Sequence, residues 1–165
     1  MYFKYLIWIS RYTLYRFIYG FSGEIDSHIG APVFHMNLRN RIKVNGSFGM
    51  FPNWRIEFHD TGKIMANGKV RIGQNFHCIV GANIYLGDGV TIAPDVYIST
   101  YETKLRSPQK RIVDREIRVA QVIIKDNVFI GRGAMIMPGV TIGEAAVVGA
   151  NAIVKSDVNP GEVIT

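Results

Sequence analysis

The chain has 165 residues, of which 48% are hydrophobic and 17 are glycine, with a formal net charge of +6. That is long enough for one domain with a real core, and too weakly charged for a disordered chain. A single cysteine, Cys78, excludes an internal disulfide framework and suits a reducing compartment.

The first predicted element is residues 1–21, MYFKYLIWISRYTLYRFIYGF, read as an aromatic and basic helical segment. It holds nine aromatic residues, including Trp8, with Lys4, Arg11 and Arg16 interspersed. No apolar run reaches the 18 or so residues of a spanning helix, and the charges interrupt any signal-peptide core. Two readings stand. Rings with polar edges among Arg and Lys suit a helix lying at a bilayer interface; the same helix would also cap the open end of a repeat core. The positive charge likewise has two readings, ordinary surface charge or attraction to phosphates, a nucleotide-bearing cofactor or an anionic membrane. No arginine-rich run, RNA-binding aromatic motif or zinc-finger spacing points to nucleic acid.

Residues 22–165 read as a second region. Its pattern is poor over 22–54, where His28 and His35 fall outside any register and take no role. Beyond that, aliphatic pairs recur: weakly at Phe58/Asp60 and Ile64/Ala66, then at Val70/Ile72, Phe76/Cys78, Ile84/Leu86, Val90/Ile92 and Val96/Ile98, with a two-residue insertion between Cys78 and Ile84. From residue 122 the period of six is unbroken. One column reads Val122, Val128, Ala134, Val140, Ala146, Ala152, Val158; the other reads Ile124, Ile130, Ile136, Ile142, Val148, Val154. Each pair flanks one residue, so every strand is in–out–in as the pleat requires. Six fits no helical period, and a fixed period marks a solenoid whose coils bury one another's faces. Three hexads would close one coil, with about five coils readable. Cys78 belongs to an inward column, where packing rather than nucleophilic chemistry is expected.

With "MPGVTIG" at 137–143 and "VVGANAIVKSDV" at 147–158, residues 55–165 resemble the hexapeptide-repeat acyltransferases of the galactoside, maltose and polysaccharide O-acetyltransferase type. The resemblance implies an all-β fold, a left-handed parallel β-helix, carrying here an N-terminal helical segment and one long extruded loop. It implies a homotrimer with active sites between subunits, to which the outward apolar residues Ile123, Phe129, Met135, Val147 and Ile153 would contribute a buried flank, and acetyl-CoA as co-substrate. By resemblance the donor positions fall at Phe129, Arg132 and Ala150, followed by Lys155 and Ser156, where relatives carry Thr-Lys. The Gly-x-Pro-Ala-Lys tail of relatives would follow Thr165.

The loop spans 99–121, STYETKLRSPQKRIVDREIRVAQ, where relatives place a histidine that acts as general base. Here the loop has none. Its start reads Ser99-Thr100-Tyr101-Glu102-Thr103. A hydroxyl acceptor needs a group of pKa near 7 to take its proton, worth about 10²–10⁴ in rate. Tyr101 stays protonated near neutrality, and Glu102 would serve only if burial raised its pKa. Two histidines offer an alternative. His59 and His77 are 18 positions apart, which predicts one face and a separation of about 4.8 Å. Tyr97 would lie on the coil above His77. His77 is therefore a candidate base, against the plain reading of two surface imidazoles in register. A zinc site would need a third ligand that the sequence does not offer.

Two functions follow. One is an acetyl-CoA-dependent acetyltransferase acting on a sugar hydroxyl, or an amine, in polysaccharide, capsule or O-antigen assembly. It would be cytoplasmic, or peripheral at the inner face of the membrane, with a sugar or lipid-linked glycan as acceptor. The other is a non-catalytic trimeric scaffold that lost the histidine.

Overall fold

The computed structural model describes residues 7, 9–11, 13–15, 17, 28–29, 32–36, 38–104 and 116–165. Three parallel sheets face one another around a single apolar core, and the chain visits them in rotation. The first face carries His28–Ile29, Phe48–Met50, Val70–Ile72, Thr91–Ile92, Phe129–Ile130, Val147–Val148 and Val163–Ile164. The second carries Pro32–Met36, Trp54–Phe58, His77–Val80, Tyr97–Ser99, Met135–Ile136 and Ile153–Val154. The third carries Ile42–Asn45, Ile64–Asn67, Ile84–Leu86, Val122–Ile124 and Thr141–Ile142, extended by a bridge from Ile142 to Val158. This is a three-sided parallel β-helix. Residues 28–54, despite their poor pattern, add strands to all three faces.

The inward columns predicted from the sequence are buried throughout, from Val70 to Val158. One pair differs. Asp60 is exposed in a turn with φ of 46°, and Phe58 is instead the last inward residue of Trp54–Phe58, after Trp54 and Ile56. The three-hexad coil holds only beyond the loop, where Met135 pairs with Ile153. Earlier coils are longer: His77 pairs with Tyr97, 20 positions on, and Arg55 pairs with His77, 22 positions on. Longer coils enclose more space, and larger residues fill it. Trp54, Phe48 and Phe58 lie in the wide coils; Ala134, Ala146 and Ala152 lie in the narrow ones.

At the edge between the first and second faces, left-handed residues stack coil upon coil: Asn53, Asn75, Asp95, Gly133 and Asn151, with φ from 58° to 69°. Asn and Asp tolerate this conformation better than other side chains. Each turn's backbone N–H bonds to the turn below, as in Asp95 N–H to Gln74 O (2.9 Å) and Asn151 N–H to Arg132 O (2.8 Å).

The interruption leaves from the edge between the second and third faces. Tyr101–Lys104 and Glu116–Val119 form an antiparallel hairpin, while residues 105–115 lie outside the described residues. Its root is fixed by two buried hydroxyls. Thr100 Oγ accepts from the backbone N–H groups of Gly81 (2.8 Å) and Ala82 (2.9 Å), and Ser99 Oγ donates to Tyr101 O (2.6 Å). No helix among the described residues is long and apolar enough to cross a membrane.

Candidate functional site

The strand Trp54–Phe58 is five residues long, so its pleat turns two side chains outward, Arg55 and Glu57, where a two-residue hexad strand turns out one. His77, at the start of the next strand on this face, pairs with Arg55, and its outward ring meets Tyr97 edge-on at 5.1 Å. His59 follows Phe58 directly and stacks on Tyr101 of the hairpin root, with ring centroids 5.4 Å apart. Glu57 lies between the two imidazoles. Its Oε1 is 3.8 Å from His77 Nε2, and its Oε2 is 3.9 Å from His59 Nε2. Both distances exceed a hydrogen bond. Arg55 Nε donates to the same Oε1 at 2.8 Å and anchors the carboxylate.

His77 Nε2 is buried and makes no hydrogen bond among the described residues. Burial, with the nearby Arg55 cation, lowers the His77 pKa below its ordinary 6.5, outweighing the opposing pull of Glu57. The ring is therefore neutral at neutral pH and able to accept a proton. A carboxylate facing one ring nitrogen favours the N–H there and leaves the lone pair on the other.

Counting in hexads places His59 directly over His77. The coil between them is longer than three hexads, so His77 sits beside Arg55, and His59 sits at the opposite end of the face, its N–H bonded to Val80 O (2.8 Å). Their link is the carboxylate between them. Tyr97 does lie on the coil above His77. Tyr101 meets His59 rather than His77. Glu102 pairs across the hairpin with Arg118 (3.8 Å), and its side chain is 34% exposed, so the burial on which its use as a base depends is missing. Cys78 is fully buried, and that burial pushes its thiol well above the usual range. Glu57 escapes a reading of the sequence alone. The signal is present in Trp54-Arg55-Ile56-Glu57-Phe58-His59, a clean alternation obscured by assigning Asp60 inward.

The donor positions separate into groups. Phe129 is exposed on the first face between Thr91 and Val147. Arg132 and Ala150 share the edge between the first and second faces on successive coils. There the backbones approach so closely that a Cβ on Gly131 would lie 2.7 Å from Ala150 N. Arg132 holds Asp95 Oδ2 at 2.8 Å, and Asn75 Nδ2 donates to Asp95 Oδ1 at 2.7 Å. These contacts, Asn75 first, lower the Asp95 pKa. Lys155 and Ser156 are exposed at a different edge, beyond Ile153–Val154. The outward apolar residues expected on one flank are spread over all three faces: Ile123 on the third, Phe129 and Val147 on the first, Met135 and Ile153 on the second. Among the described residues no group of three His, Cys, Asp or Glu could hold a metal ion.

Comparison with known proteins agrees with the repeat. The bacterial transferase hexapeptide family (six repeats) matches residues 121–156. The galactoside O-acetyltransferase of Escherichia coli is 34% identical over 100 residues, which cover 57% of this chain and 48% of that protein. Over these stretches the chain is similar to the hexapeptide-repeat transferases. A hexapeptide-repeat acetyltransferase from Vibrio cholerae, solved with acetyl-CoA, superposes with a TM-score of 0.60 at 27% identity, covering 93% of this chain and 70% of that one. An N-acyltransferase mutant from Bacillus cereus, in complex with dTDP-4-amino-4,6-dideoxyglucose and coenzyme A, shares the fold with a TM-score of 0.75 at 20% identity, covering 93% and 82%. The chain spans about half the length of the curated relatives it matches.

Proposed function

We propose that this protein is an acetyl-CoA-dependent acetyltransferase of the hexapeptide-repeat type, acting on a sugar hydroxyl or an amino sugar, with His77 as its general base. The observation that carries the reading is the buried His77 Nε2, which makes no hydrogen bond among the described residues and lies 3.8 Å from the Glu57 carboxylate; on this reading Nδ1 is left to the acceptor. His77 Nδ1 takes the acceptor proton as the acceptor oxygen or nitrogen forms its bond to the thioester carbonyl carbon. The C–S bond then breaks, and the thiolate leaves and takes up a proton. Glu57 is a positioning residue; it stabilises the imidazolium formed and fixes the tautomer. His59 and Tyr101 form the wall of the acceptor site at the hairpin root.

The donor lies along the edge marked by Arg132 and Ala150, with Phe129, Lys155 and Ser156 supplied to it across a trimer interface. Support comes from the link between that edge and His77. Asn75, two positions before His77, bonds Asp95, which bonds Arg132. Two coil steps at the ~4.8 Å strand spacing put Arg132 roughly 10 Å from the level of His77. The acceptor is carried by a polysaccharide or lipid-linked glycan precursor.

The test is titration of the full chain with acetyl-CoA, followed by thiol release in the presence of sugar and amino-sugar acceptors. Saturable binding, with transfer that falls by about 10²–10⁴ in His77→Ala at unchanged CoA affinity, is expected. Binding without any loss in His77→Ala removes the proposed base. No CoA binding leaves the scaffold reading.

A further inference from the structure

The described residues of the N-terminal helix carry two unlike faces. Tyr15 packs against the core of the β-helix. Ile7, Leu14 and Phe17 are exposed, at 40%, 54% and 89%. At 100° per residue, positions 7, 10, 14 and 17 fall on one stripe, and Tyr15 points away from it. Ser10 is the one polar member of that stripe. Its hydroxyl donates to Ile7 O at 2.8 Å, and the neighbouring Thr13 hydroxyl donates to Ile9 O at 3.1 Å. Both groups are satisfied within the helix and need no water, which suits an apolar surrounding.

We propose that this stripe lies on an anionic lipid surface, while Tyr15 fastens the same helix to the coil. The charge argues for lipid over a second copy. Before Glu24 the sequence has no Asp or Glu, only Lys4, Arg11 and Arg16 among its acidic and basic side chains. Two such segments facing each other would bring like charges together, whereas an anionic surface attracts each cation. Phe17 at 89% exposure is otherwise a large apolar side chain left in water. Interface and cap are thus two faces of one helix. Lys4, Trp8 and Arg16 lie outside the described residues, and the structural part of the argument stands on Ile7, Ser10, Leu14, Tyr15 and Phe17. A protein fixed this way would work on acceptors at the bilayer surface; the inference does not depend on which acyl transfer the site performs.

The experiment is flotation of the full chain with vesicles of phosphatidylcholine alone and of phosphatidylcholine with phosphatidylglycerol. Recovery with the anionic vesicles, reduced by salt, is expected. The Leu14→Ser/Phe17→Ser double variant should lower the apparent affinity by about ten-fold or more while leaving the melting temperature unchanged, because Tyr15 is untouched. Arg11→Glu should weaken binding to anionic vesicles. Absence of flotation, or flotation unaltered in the double variant, overturns the proposal. So does a smaller oligomeric mass of the double variant in lipid-free buffer, which would assign the stripe to a second copy.

Discussion

The coils before the hairpin and those after it are built on the same principle and differ in one dimension. After the hairpin, coils of three hexads turn one side chain outward per strand and close on Ala134, Ala146 and Ala152. Before it, longer coils use strands of up to five residues, turn two side chains outward, and need Trp54, Phe48 and Phe58 inside. The extra length builds the candidate site. Only a strand long enough for a second outward position brings Glu57 between His59 and His77. The regular coils are the scaffold, and the departure from regularity builds the candidate site.

The comparison breaks most visibly in the core. Trp54→Ala should cost about 3–5 kcal/mol in a urea melt, because the widest coil cannot collapse onto an alanine-sized residue. It should also loosen Arg55 and Glu57, its outward neighbours. The converse change, Ala146→Phe, overfills a narrow coil and should cost at least about 1–3 kcal/mol. A smaller loss for Trp54→Ala than for a surface substitution would mean that the wide coil is held by something other than its filling.

Thr100 tests the junction between the two regions. Its hydroxyl accepts from the buried N–H of Gly81 and the half-buried N–H of Ala82, so Thr100→Val should cost about 1–3 kcal/mol. Hydrogen exchange should rise at Gly81 and Ala82 and remain slow at Ile130 and Val148. Uniform exchange across both regions would show that the hairpin root is not a separate point of attachment.

These substitutions also mark what was legible in the sequence. The period of six identified the inward columns from Val70 to Val158, because every strand must bury the same two positions. It also anticipated Tyr97 above His77. It misassigned Asp60 and the coil length near His59, because an insertion inside a turn leaves the hydrophobic rhythm locally intact while shifting the register against the coil above. Glu57 was hidden for the same reason. A side chain's neighbour on the next coil depends on how many residues the turns absorb, and six-residue counting assumes that this number is constant. The carboxylate's contacts with two imidazoles exist only after the longer coil is closed.

Ala145 gives a smaller effect of opposite sign. It has φ of 56° on an exposed turn of the regular region, a conformation that costs an L-residue about 1–2 kcal/mol. Relief of that strain in Ala145→Gly is offset in part by the freedom glycine gains in the unfolded chain, so the net expected gain is up to about 1 kcal/mol. It should appear as a raised urea midpoint with unchanged slope. No functional effect should accompany it.

The finest test separates Arg55 from Glu57 through the titration of His77. Burial and Arg55 lower its pKa in the folded chain, while Glu57 raises it. Below the ordinary value of 6.5 the unfolded chain therefore binds the proton first. Stability tied to the neutral ring is full above that value and is lost as pH falls through the lowered folded pKa. Glu57→Gln removes the raising influence and should move the His77 imidazole titration, followed by NMR, to lower pH. Arg55→Met removes a lowering influence and frees the carboxylate to turn toward the ring, so the shift should be upward. If His77 is the base, the acid limb of acetyl transfer should follow the same two directions. Shifts of one sign in both variants would show that burial of Nε2, rather than the charge pair on Trp54–Phe58, sets the proton affinity of this ring.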